Sequence, residues 1–335
     1  MVKEMNELSA TPKSMKKVIH TGIRKLLLEL GSATKVELSN TLDISFPTIS
    51  KFLSQMERDG EIYLVGLDDS SGGRRAKRYS YNAEYMLGLS IFLERTETNY
   101  TIFDCTGEIK ETGTVQSVLK DDDLTSLNGC IESIMAKYPK ISSIAIGVPG
   151  SVDNGRIFYI PGYDSLQNFD LKKYYEDRFS IPVVVENDMN AAVLGYHFNM
   201  GMTEKHSLVY LYFGQNGPGA GIMINGDVVR GSTFFSGEIS LIPQYNDKNF
   251  QEALNNDAIK IDAISRLVAS FVSILNPHVI IFNKAEVEQQ LLDKIVKNSS
   301  IYVPAEHLPK LTWSDWKKDY LYGLQSLALE QIMKE

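Results

Sequence analysis

The stretch SATKVELSNTLDISFPTISKFLSQMERDGEIYLVGLDDSSGGRRAKRYSY, residues 32–81, combines two short amphipathic helices with a basic hairpin. Thr34 followed by Glu37 fits a capping box at the start of the first helix. Ser45 is a candidate N-cap for the second helix, in which apolar residues recur at helical spacing until Gly60 ends it. The pattern predicts a helix pair followed by two strands.

The second helix of this pair has a polar side opposite its apolar stripe. Lys51, Ser54 and Gln55 lie opposite the stripe, and Thr48 and Ser50 lie on its flanks. Small polar and cationic side chains in such a position can contact phosphates and base edges in the major groove of DNA. The spacing therefore predicts a DNA-recognition helix.

The hairpin that follows is basic. Turn-forming residues occupy positions 68–73, and a strand is predicted over 74–81. Its four cations can follow a duplex backbone and gain affinity by releasing counterions. They are Arg74, Arg75, Lys77 and Arg78. A solvated surface hairpin is the alternative, but the preceding helix pair favours a DNA-binding wing. Residues 1–82 are therefore predicted to form a winged helix-turn-helix domain that binds operator DNA.

Ahead of the helix pair, apolar residues from Val18 to Leu30 recur at helical spacing. This periodicity predicts a supporting first helix. Cations surround the apolar stripe, namely Lys13, Lys16, Lys17, Arg24 and Lys25.

Charge is unevenly distributed along the 335 residues. The net charge is −8, yet residues 1–80 hold 13 Lys and Arg against 10 Asp and Glu, which leaves 21 against 32 for the remainder. The acidic remainder should repel DNA, so the basic N-terminal part must do the binding.

Composition places the chain among cytoplasmic globular proteins with no membrane partner. Its apolar content is 43%, no apolar run approaches the length of a membrane span, and the first residues are too polar for a signal peptide. The two cysteines, Cys105 and Cys130, cannot form a structural zinc cage by themselves and lack the spacing of a disulfide framework. We expect both to be ordinary core residues, and we expect no metal and no cofactor.

From residue 83 onward, strand-like and helical segments alternate. One predicted strand, 142–148, ends in Pro149-Gly150, and another, 181–185, ends in Glu186-Asn187-Asp188. Asn225-Gly226 predicts a tight hairpin turn. The order indicates an α/β fold with an antiparallel element at the start of each half.

Five segments in succession carry a family resemblance. They are GVPG (147–150), VVVENDMNAA (183–192), GPGAGIMINGDVVRG (217–231), GEI (237–239) and ILNPHVII (274–281). They resemble the ROK family, which unites repressors, open reading frames and sugar kinases. The resemblance implies a two-lobed actin/hexokinase-like (ribonuclease H-like) body over residues 83–335, with a C-terminal helix returning to the first lobe. ROK repressors place a winged helix-turn-helix ahead of this body.

The chain departs from the family's kinases at both nucleotide contacts. Where kinases have an Asp-x-Gly-Gly-Thr loop for metal-bound ATP phosphates, this chain has Ser90-Ile91-Phe92-Leu93-Glu94. Phe92 and Leu93 add bulk where the backbone must approach the phosphates, and Glu94 adds like charge. The adenosine-site glycines are replaced by residues 282–285. The glycines of 217–221 survive, either as a phosphate cradle or as a turn.

The sugar site is partly retained. The resemblance implies that Gly150, Asn187, Asp188 and Glu238 bind the ligand, and that Asp188 would be the general base in a kinase. A helix N-cap is an alternative role for Asn187 and Asp188, and the two roles can coexist. The family's zinc-binding histidine is Leu241 here, and no cysteine follows Cys130.

These observations predict a transcriptional regulator, a repressor of carbohydrate-utilisation genes controlled by a sugar or sugar-derived effector bound between the lobes. We expect a homo-oligomer, dimer or tetramer, because a winged head usually binds paired half-sites. An ATP-dependent sugar kinase with an appended DNA-binding head is the alternative, and a ligand-blind DNA-bound scaffold is a third. The replaced nucleotide motifs favour a protein that is not an enzyme.

Overall fold

The computed structural model describes most of the chain. The described residues are 11–68, 75–119, 123–160, 163, 166–202, 205–214 and 217–334. The chain divides into two compact units. The first contains the residues up to Leu87, together with Phe103–Glu108 and the segment from Leu329 onward, and the second contains Gly88–Ile102 and Ile109–Ala328.

The first unit contains helices packed beside a small antiparallel sheet. Its elements are α1 (Pro12–Leu30), β1 (Ala33–Thr34), α2 (Lys35–Leu42), α3 (Phe46–Arg58), β2 (Ile62–Leu67) and β3 (Lys77–Tyr81). The strands lie in the order β1, β3, β2, with both pairings antiparallel. The predicted helix pair is confirmed over α2 and α3. The predicted second strand begins three residues later than expected, at Lys77.

Local signals set the ends of these helices. The Thr34 hydroxyl accepts a hydrogen bond from the Glu37 N–H at 3.2 Å, and the Glu37 carboxylate accepts from the Thr34 N–H at 2.7 Å. This confirms the capping box. Asp43 ends α2 in the left-handed conformation, and Gly60 follows α3 with φ of +76°. Ser45 is the N-cap of α3 by position, but its side chain bonds Thr48 rather than the helix backbone.

The core of this unit is formed by the inward faces of its helices and strands. Ile23 and Leu27 of α1, Leu38 of α2, and Ile49 and Leu53 of α3 are fully buried together. The predicted apolar stripe of α1 was too long, because Val18 and Leu30 at its two ends are about half exposed.

Arg24 is one of the cations that surround the apolar stripe of α1 in sequence, but in the structure it is buried. Its side chain is only 3% exposed. Its Nε donates to Glu61 at 3.1 Å, and its Nη1 donates to the Ile332 carbonyl at 2.8 Å. Glu61 is also buried, and it is bonded by His20 Nε2 at 2.6 Å and by the Tyr81 hydroxyl at 3.1 Å. Burial of both charges makes this a structural network rather than a phosphate contact.

Replacing Glu61 with alanine should destabilise this unit by about 3 kcal/mol, because Arg24 would keep its charge in the core without a partner. Denaturant unfolding followed by circular dichroism measures the loss. Glu57→Ala is the matched control, since Glu57 lies exposed on α3. A Glu61 variant as stable as the Glu57 variant would show that the buried network contributes little.

The second unit is mixed α/β, with its strands arranged mainly in two five-stranded sheets. The strands of this unit are β4 (Leu87–Leu93), β5 (Glu97–Asp104), β6 (Ile109–Gln116), β7 (Ile141–Val148), β8 (Ser151–Asp153), β9 (Arg156–Tyr159), β10 (Phe169–Asp170), β11 (Val183–Asn187), β12 (Leu208–Tyr212), β13 (Gly219–Ile224), β14 (Asp227–Val228), β15 (Pro243–Tyr245), β16 (Lys248–Asn249), β17 (Val279–Asn283) and β18 (Lys310–Ser314). The helices of this unit are α4 (Thr125–Lys137), α5 (Leu171–Phe179), α6 (Asp188–Asn199), α7 (Phe250–Leu254), α8 (Lys260–Leu275), α9 (Gln289–Ser299) and α10 (Trp316–Ile332). The first sheet has the strand order β11-β7-β4-β5-β6, and the second has the order β14-β13-β12-β17-β18.

These sheets combine parallel and antiparallel pairing. β7 and β11 are parallel, as are β12 and β17, while β12 and β13 are antiparallel. The predicted hairpin turn at Asn225-Gly226 is confirmed, since both residues have positive φ between β13 and β14. Among the residues described here, no helix combines the length and apolarity that crossing a bilayer requires.

Helices α6 and α10 approach each other more closely than side chains would allow. A Cβ atom on Gly195 of α6 would lie 1.7 Å from the Asp319 carbonyl oxygen, and one on Gly323 of α10 would lie 1.9 Å from the Ala191 carbonyl oxygen. Each helix therefore needs glycine where it meets the backbone of the other. Because α6 begins at Asp188, this crossing fixes a helix whose first residue lies in the candidate ligand site.

Candidate functional site

The four predicted ligand residues lie around one cavity in the second unit. Gly150 follows β7 and Asn187 ends β11, and because these strands are parallel with Val148 opposite Asn187, their carboxyl ends lie together. Asp188 begins α6 directly afterwards. Glu238 reaches the same cavity from the segment after β14, beside the glycines at the start of β13. The cavity has a volume of about 50 Å³, well below the roughly 300 Å³ typical of a ligand pocket. Binding a monosaccharide would therefore require the cavity walls to move apart.

Asn187 is the N-cap of α6. Its Oδ1 accepts from the N–H groups of Met189 and Asn190 at 2.9 and 3.0 Å, and its Nδ2 donates to the Gly150 carbonyl at 3.0 Å. These bonds leave little capacity for a ligand, so the structure favours the N-cap role for this side chain. Close packing also explains the glycine at position 150, since a Cβ there would lie 2.2 Å from the Tyr159 carbonyl oxygen.

Asp188 is the most perturbed acid of the cavity. Its side chain is 6% exposed, and its Oδ1 accepts from the Met189 N–H at 2.8 Å. Burial, together with the charges of Glu238 and Glu94, raises the pKa of this carboxyl to about 7 against the lowering effect of that N–H. Burial also raises the pKa of Glu238. Near neutral pH the Asp188 carboxyl can therefore donate as well as accept hydrogen bonds.

An aromatic cluster lies at the end of β4. Phe92 stacks on Tyr320 with ring centroids 4.8 Å apart, and Trp316 stacks on Tyr212 at 4.1 Å. The centroids of Trp316 and Tyr320 are 5.2 Å apart, so the four rings form one continuous group. Phe92 and Tyr320 are completely buried, and Glu94 beside them is 3% exposed with its pKa raised by burial.

The glycine loop ahead of β13 packs against the first turn of α6. A Cβ on Gly221 would lie 2.1 Å from the Met189 carbonyl oxygen, and one on Gly219 would lie 3.0 Å from Met189 Cγ. Gly217 has φ of +93°. These contacts fit the interpretation of the loop as a turn with close backbone packing. Leu241, in the position of the family's histidine, is 59% exposed.

In the first unit, the predicted recognition surface lies on the outer side of α3. Lys51 and Gln55 are exposed, while Thr48, Ser50 and Ser54 are half-buried. Lys51 forms no ion pair with any residue that the structure describes. Gln55 Nε2 donates to Asp59 at 2.8 Å, and the Ser54 hydroxyl donates to the Ser50 carbonyl at 2.8 Å.

Lys35 was missed by sequence analysis. Its Nζ donates to the Ser50 hydroxyl at 2.8 Å and lies 6.0 Å from the centre of the Tyr79 ring. It comes from α2, and only the packing of α2 against α3 brings it to the polar side of α3. The sequence contains no local pattern that would have indicated this placement.

The cations of the hairpin separate into two groups. Arg75 and Lys77 are exposed and have no ion pair within the described ranges. Arg78 differs from the prediction, since its guanidinium donates to Asp68 at 2.7 Å, to Glu37 at 2.8 Å and to the Ser32 carbonyl at 2.9 Å. Through these bonds Arg78 connects β3 to neighbouring segments, so its guanidinium is not free to contact a phosphate. Arg74 lies outside the described residues.

Known proteins resemble this chain over most of the second unit. Residues 89–249 match the model of the ROK family. The chain is 25% identical over 232 residues to the xylose repressor of Bacillus spizizenii, an alignment that covers 67% of this chain and 60% of that protein. It is 24% identical over 236 residues to the DNA-binding transcriptional dual regulator NagC of Escherichia coli, covering 68% and 58%. These alignments thus span 58–60% of the length of the two curated relatives.

Solved structures show the same fold. The crystal structure of a ROK family transcriptional regulator, a homologue of the Escherichia coli Mlc protein, aligns with a TM-score of 0.70 at 18% identity and covers 95% of this chain and 98% of its own. A ROK hexokinase from Thermus thermophilus aligns with a TM-score of 0.60 at 20% identity, covering 74% and 99%. The mixed α/β architecture with two ROK-type sheets is therefore shared. Residues 89–249 therefore resemble the ROK family in sequence, and the chain shares the fold of solved ROK proteins.

Proposed function

We propose that this chain is a DNA-binding transcriptional regulator, a repressor of carbohydrate-utilisation genes whose operator binding is controlled by a sugar or sugar-derived effector. The observation that carries the proposal is the exposed polar side of α3 beside a basic hairpin, on a chain that also contains a ROK domain. α2 and α3, joined by a tight turn at Asp43 and followed by β2 and β3, have the order of a winged helix-turn-helix.

DNA binding would use two kinds of contact. Lys51 and Gln55 project from α3 and can meet base edges, with Thr48, Ser50 and Ser54 beside them. Arg75 and Lys77 on the hairpin, with Arg74 next along the chain, would contact phosphates and contribute affinity without sequence information. A dimer or tetramer would suit this role, because winged heads usually bind paired half-sites.

A regulator is favoured over a sugar kinase by the aromatic cluster. In kinases of this family the first body strand ends in a loop that holds metal-bound ATP phosphates. Here the corresponding strand, β4, has Phe92 as its next-to-last residue, and the Phe92 ring is completely buried against Tyr320. Phosphates need closely approaching backbone or cations, and this packed apolar group offers neither. Asp188 would therefore act as a ligand group and not as a catalytic base.

The ligand half of the proposal rests on the cavity. Gly150, Asn187, Asp188 and Glu238 converge there, and the named relatives include a xylose repressor. Carboxyl groups that can both donate and accept suit vicinal hydroxyls. An effector that binds one arrangement of the cavity walls more tightly than another would shift the DNA affinity through a shared coupling energy.

Two cation variants should weaken DNA binding in different ways. Lys51→Ala should lose about tenfold or more in affinity for a preferred site and relax the sequence preference, because a base contact contributes about 1–3 kcal/mol. Arg75→Ala should weaken binding to every sequence alike and reduce the slope of log affinity against log salt by about 1. Fluorescence anisotropy across a salt series measures both.

Lys25→Ala is the matched control, because Lys25 is an exposed cation on α1 and belongs to neither α3 nor the hairpin strands. It should leave both the preferred-site affinity and the salt slope near the wild-type values. An Arg75 variant with an unchanged salt slope, or a Lys51 variant that behaves like Lys25→Ala, would contradict the assignment of these surfaces.

A further inference from the structure

We infer that the effector of the ROK-domain cavity carries no anionic group, and that the cavity takes an uncharged sugar or an amino sugar with a free ammonium in preference to a sugar phosphate. This inference rests on the proposed function, since it concerns the ligand of the same site. It separates two chemical classes that a sugar-responsive regulator could use.

The first observation is the charge of the cavity wall. The described residues that line the cavity include two acids, Asp188 and Glu238. None of these described lining residues is a lysine, an arginine or a histidine. The undescribed positions that adjoin a lining segment in the chain, 215 and 216, are Gln and Asn and add no such cation. A phosphate in this cavity would meet like charge and no cationic partner.

The second observation is that nearby cations already have partners. Arg230 Nη2 forms an ion pair with Glu186 at 2.5 Å, one residue before Asn187. Lys317, which lies near Glu94, is paired with Glu97. If either cation moved to bind a phosphate, Glu186 or Glu97 would lose its ion-pair partner, and this loss would offset the free energy gained from the phosphate contact.

The third observation concerns the helix N-terminus. Free N–H groups in the first turn of a helix are an ordinary site for phosphate. In α6, the Met189 and Asn190 N–H groups point at Asn187 Oδ1, and Met189 also bonds Asp188 Oδ1. The chain's own side chains thus occupy the donors that an anion would use.

The acidic groups that face a ligand in this cavity are the carboxyl groups of Asp188 and Glu238. Asp188 uses its Oδ1 for an internal hydrogen bond, and the Glu238 carboxyl group forms no hydrogen bond with any residue in the described ranges. Two carboxyl groups facing one cavity can hold a pair of hydroxyls, or an ammonium and a hydroxyl. This is the chemistry of an uncharged polyol or an amino sugar.

Calorimetry on the full-length protein at pH 8 tests the inference with matched pairs. The ligands are xylose, glucose, glucosamine and N-acetylglucosamine, each against its own phosphate ester. We expect at least one unphosphorylated sugar to bind and its phosphate to bind at least tenfold more weakly. A phosphate that binds more tightly than its parent sugar overturns this inference and leaves the sugar-controlled regulator intact. Absence of heat from every ligand, with DNA binding preserved, overturns the effector half of the proposed function and this inference with it.

A charge-removing variant makes the test independent of ligand identity. Glu238→Gln keeps the size of the side chain and should narrow the affinity ratio between a sugar and its phosphate at least threefold. Glu306→Gln is the matched control, because Glu306 is exposed and outside the cavity, and it should leave the ratio unchanged. An unchanged ratio in Glu238→Gln would show that carboxylate charge does not set the selectivity.

Discussion

Asp188→Asn is expected to stabilise the protein by about 4 kcal/mol at pH 8, because each unit of raised pKa corresponds to about 1.4 kcal/mol. The pKa of Asp188 rises from an ordinary 3.8 to about 7 in the folded chain. The folded state therefore holds this proton more tightly than the unfolded state. Stability should fall as pH rises from about 4 to 7, and asparagine removes that penalty because it cannot ionise.

Urea unfolding of both proteins at pH 4 and pH 8 measures this effect. Glu238, Glu94 and Tyr320 face the same carboxyl, and none of them carries a positive charge that could compensate it. The gain should be large at pH 8 and small at pH 4. Asp257→Asn, at an exposed position, is the control and should show no such difference. A gain at pH 8 no larger than that at pH 4 would contradict the buried, uncompensated state of Asp188.

Gly195→Ala is expected to lower the free energy of unfolding by more than about 4 kcal/mol or to prevent folding of the second unit, since overpacking against backbone cannot be relieved by a rotamer change. The new methyl would meet the Asp319 carbonyl oxygen at 1.7 Å. Gly323→Ala should behave in the same way, because its methyl would meet the Ala191 carbonyl oxygen. Either change would force α6 and α10 apart and displace Asp188.

Soluble yield and thermal unfolding measure the loss in these two variants. Gly129→Ala in α4 is the matched control, because a Cβ there has nothing within 4 Å. It should instead stabilise the chain by about 0.5–1 kcal/mol, since alanine is the better helix former. A Gly195 variant that unfolds within a few degrees of the wild type would mean that the two helices are not in backbone contact.

Features set by neighbouring residues could be predicted from the sequence. The capping box at Thr34, the end of α3 at Gly60 and the turn at Asn225-Gly226 each depend on residues within one turn of chain. The strand ends at Pro149-Gly150 and Glu186-Asn187 could be placed for the same reason, and the family resemblance then indicated that they meet.

Features that depend on distant partners could not be predicted. Arg24 is 308 positions from the Ile332 carbonyl that it bonds, and Arg78 is 41 positions from Glu37. Sequence alone identified Arg24 as one of the cations around the α1 stripe and Arg78 as a DNA contact of the wing, because a charged side chain shows no sign of its partner in local sequence. Strand β6 was missed because most of its residues are polar and exposed, so it lacks the alternation that marks a half-buried strand.

The sequence also did not indicate which cavity residues are used for internal hydrogen bonds and which are left for a ligand. Asn187 matched a ligand position, yet its amide is used to cap α6 and to hold the Gly150 carbonyl. Glu238 has no such internal bond to a described residue. Only the hydrogen-bond partners distinguish a residue that shapes the cavity from one that can bind its contents.

Selection of the full-length protein on a random duplex DNA pool, followed by sequencing of the bound fraction, tests the central claim most directly. The account predicts one enriched motif with two related half-sites. Lys51→Ala should weaken the sequence preference at positions of this motif, and Lys25→Ala should leave the motif unchanged. A folded protein that enriches no sequence at any salt concentration would contradict it.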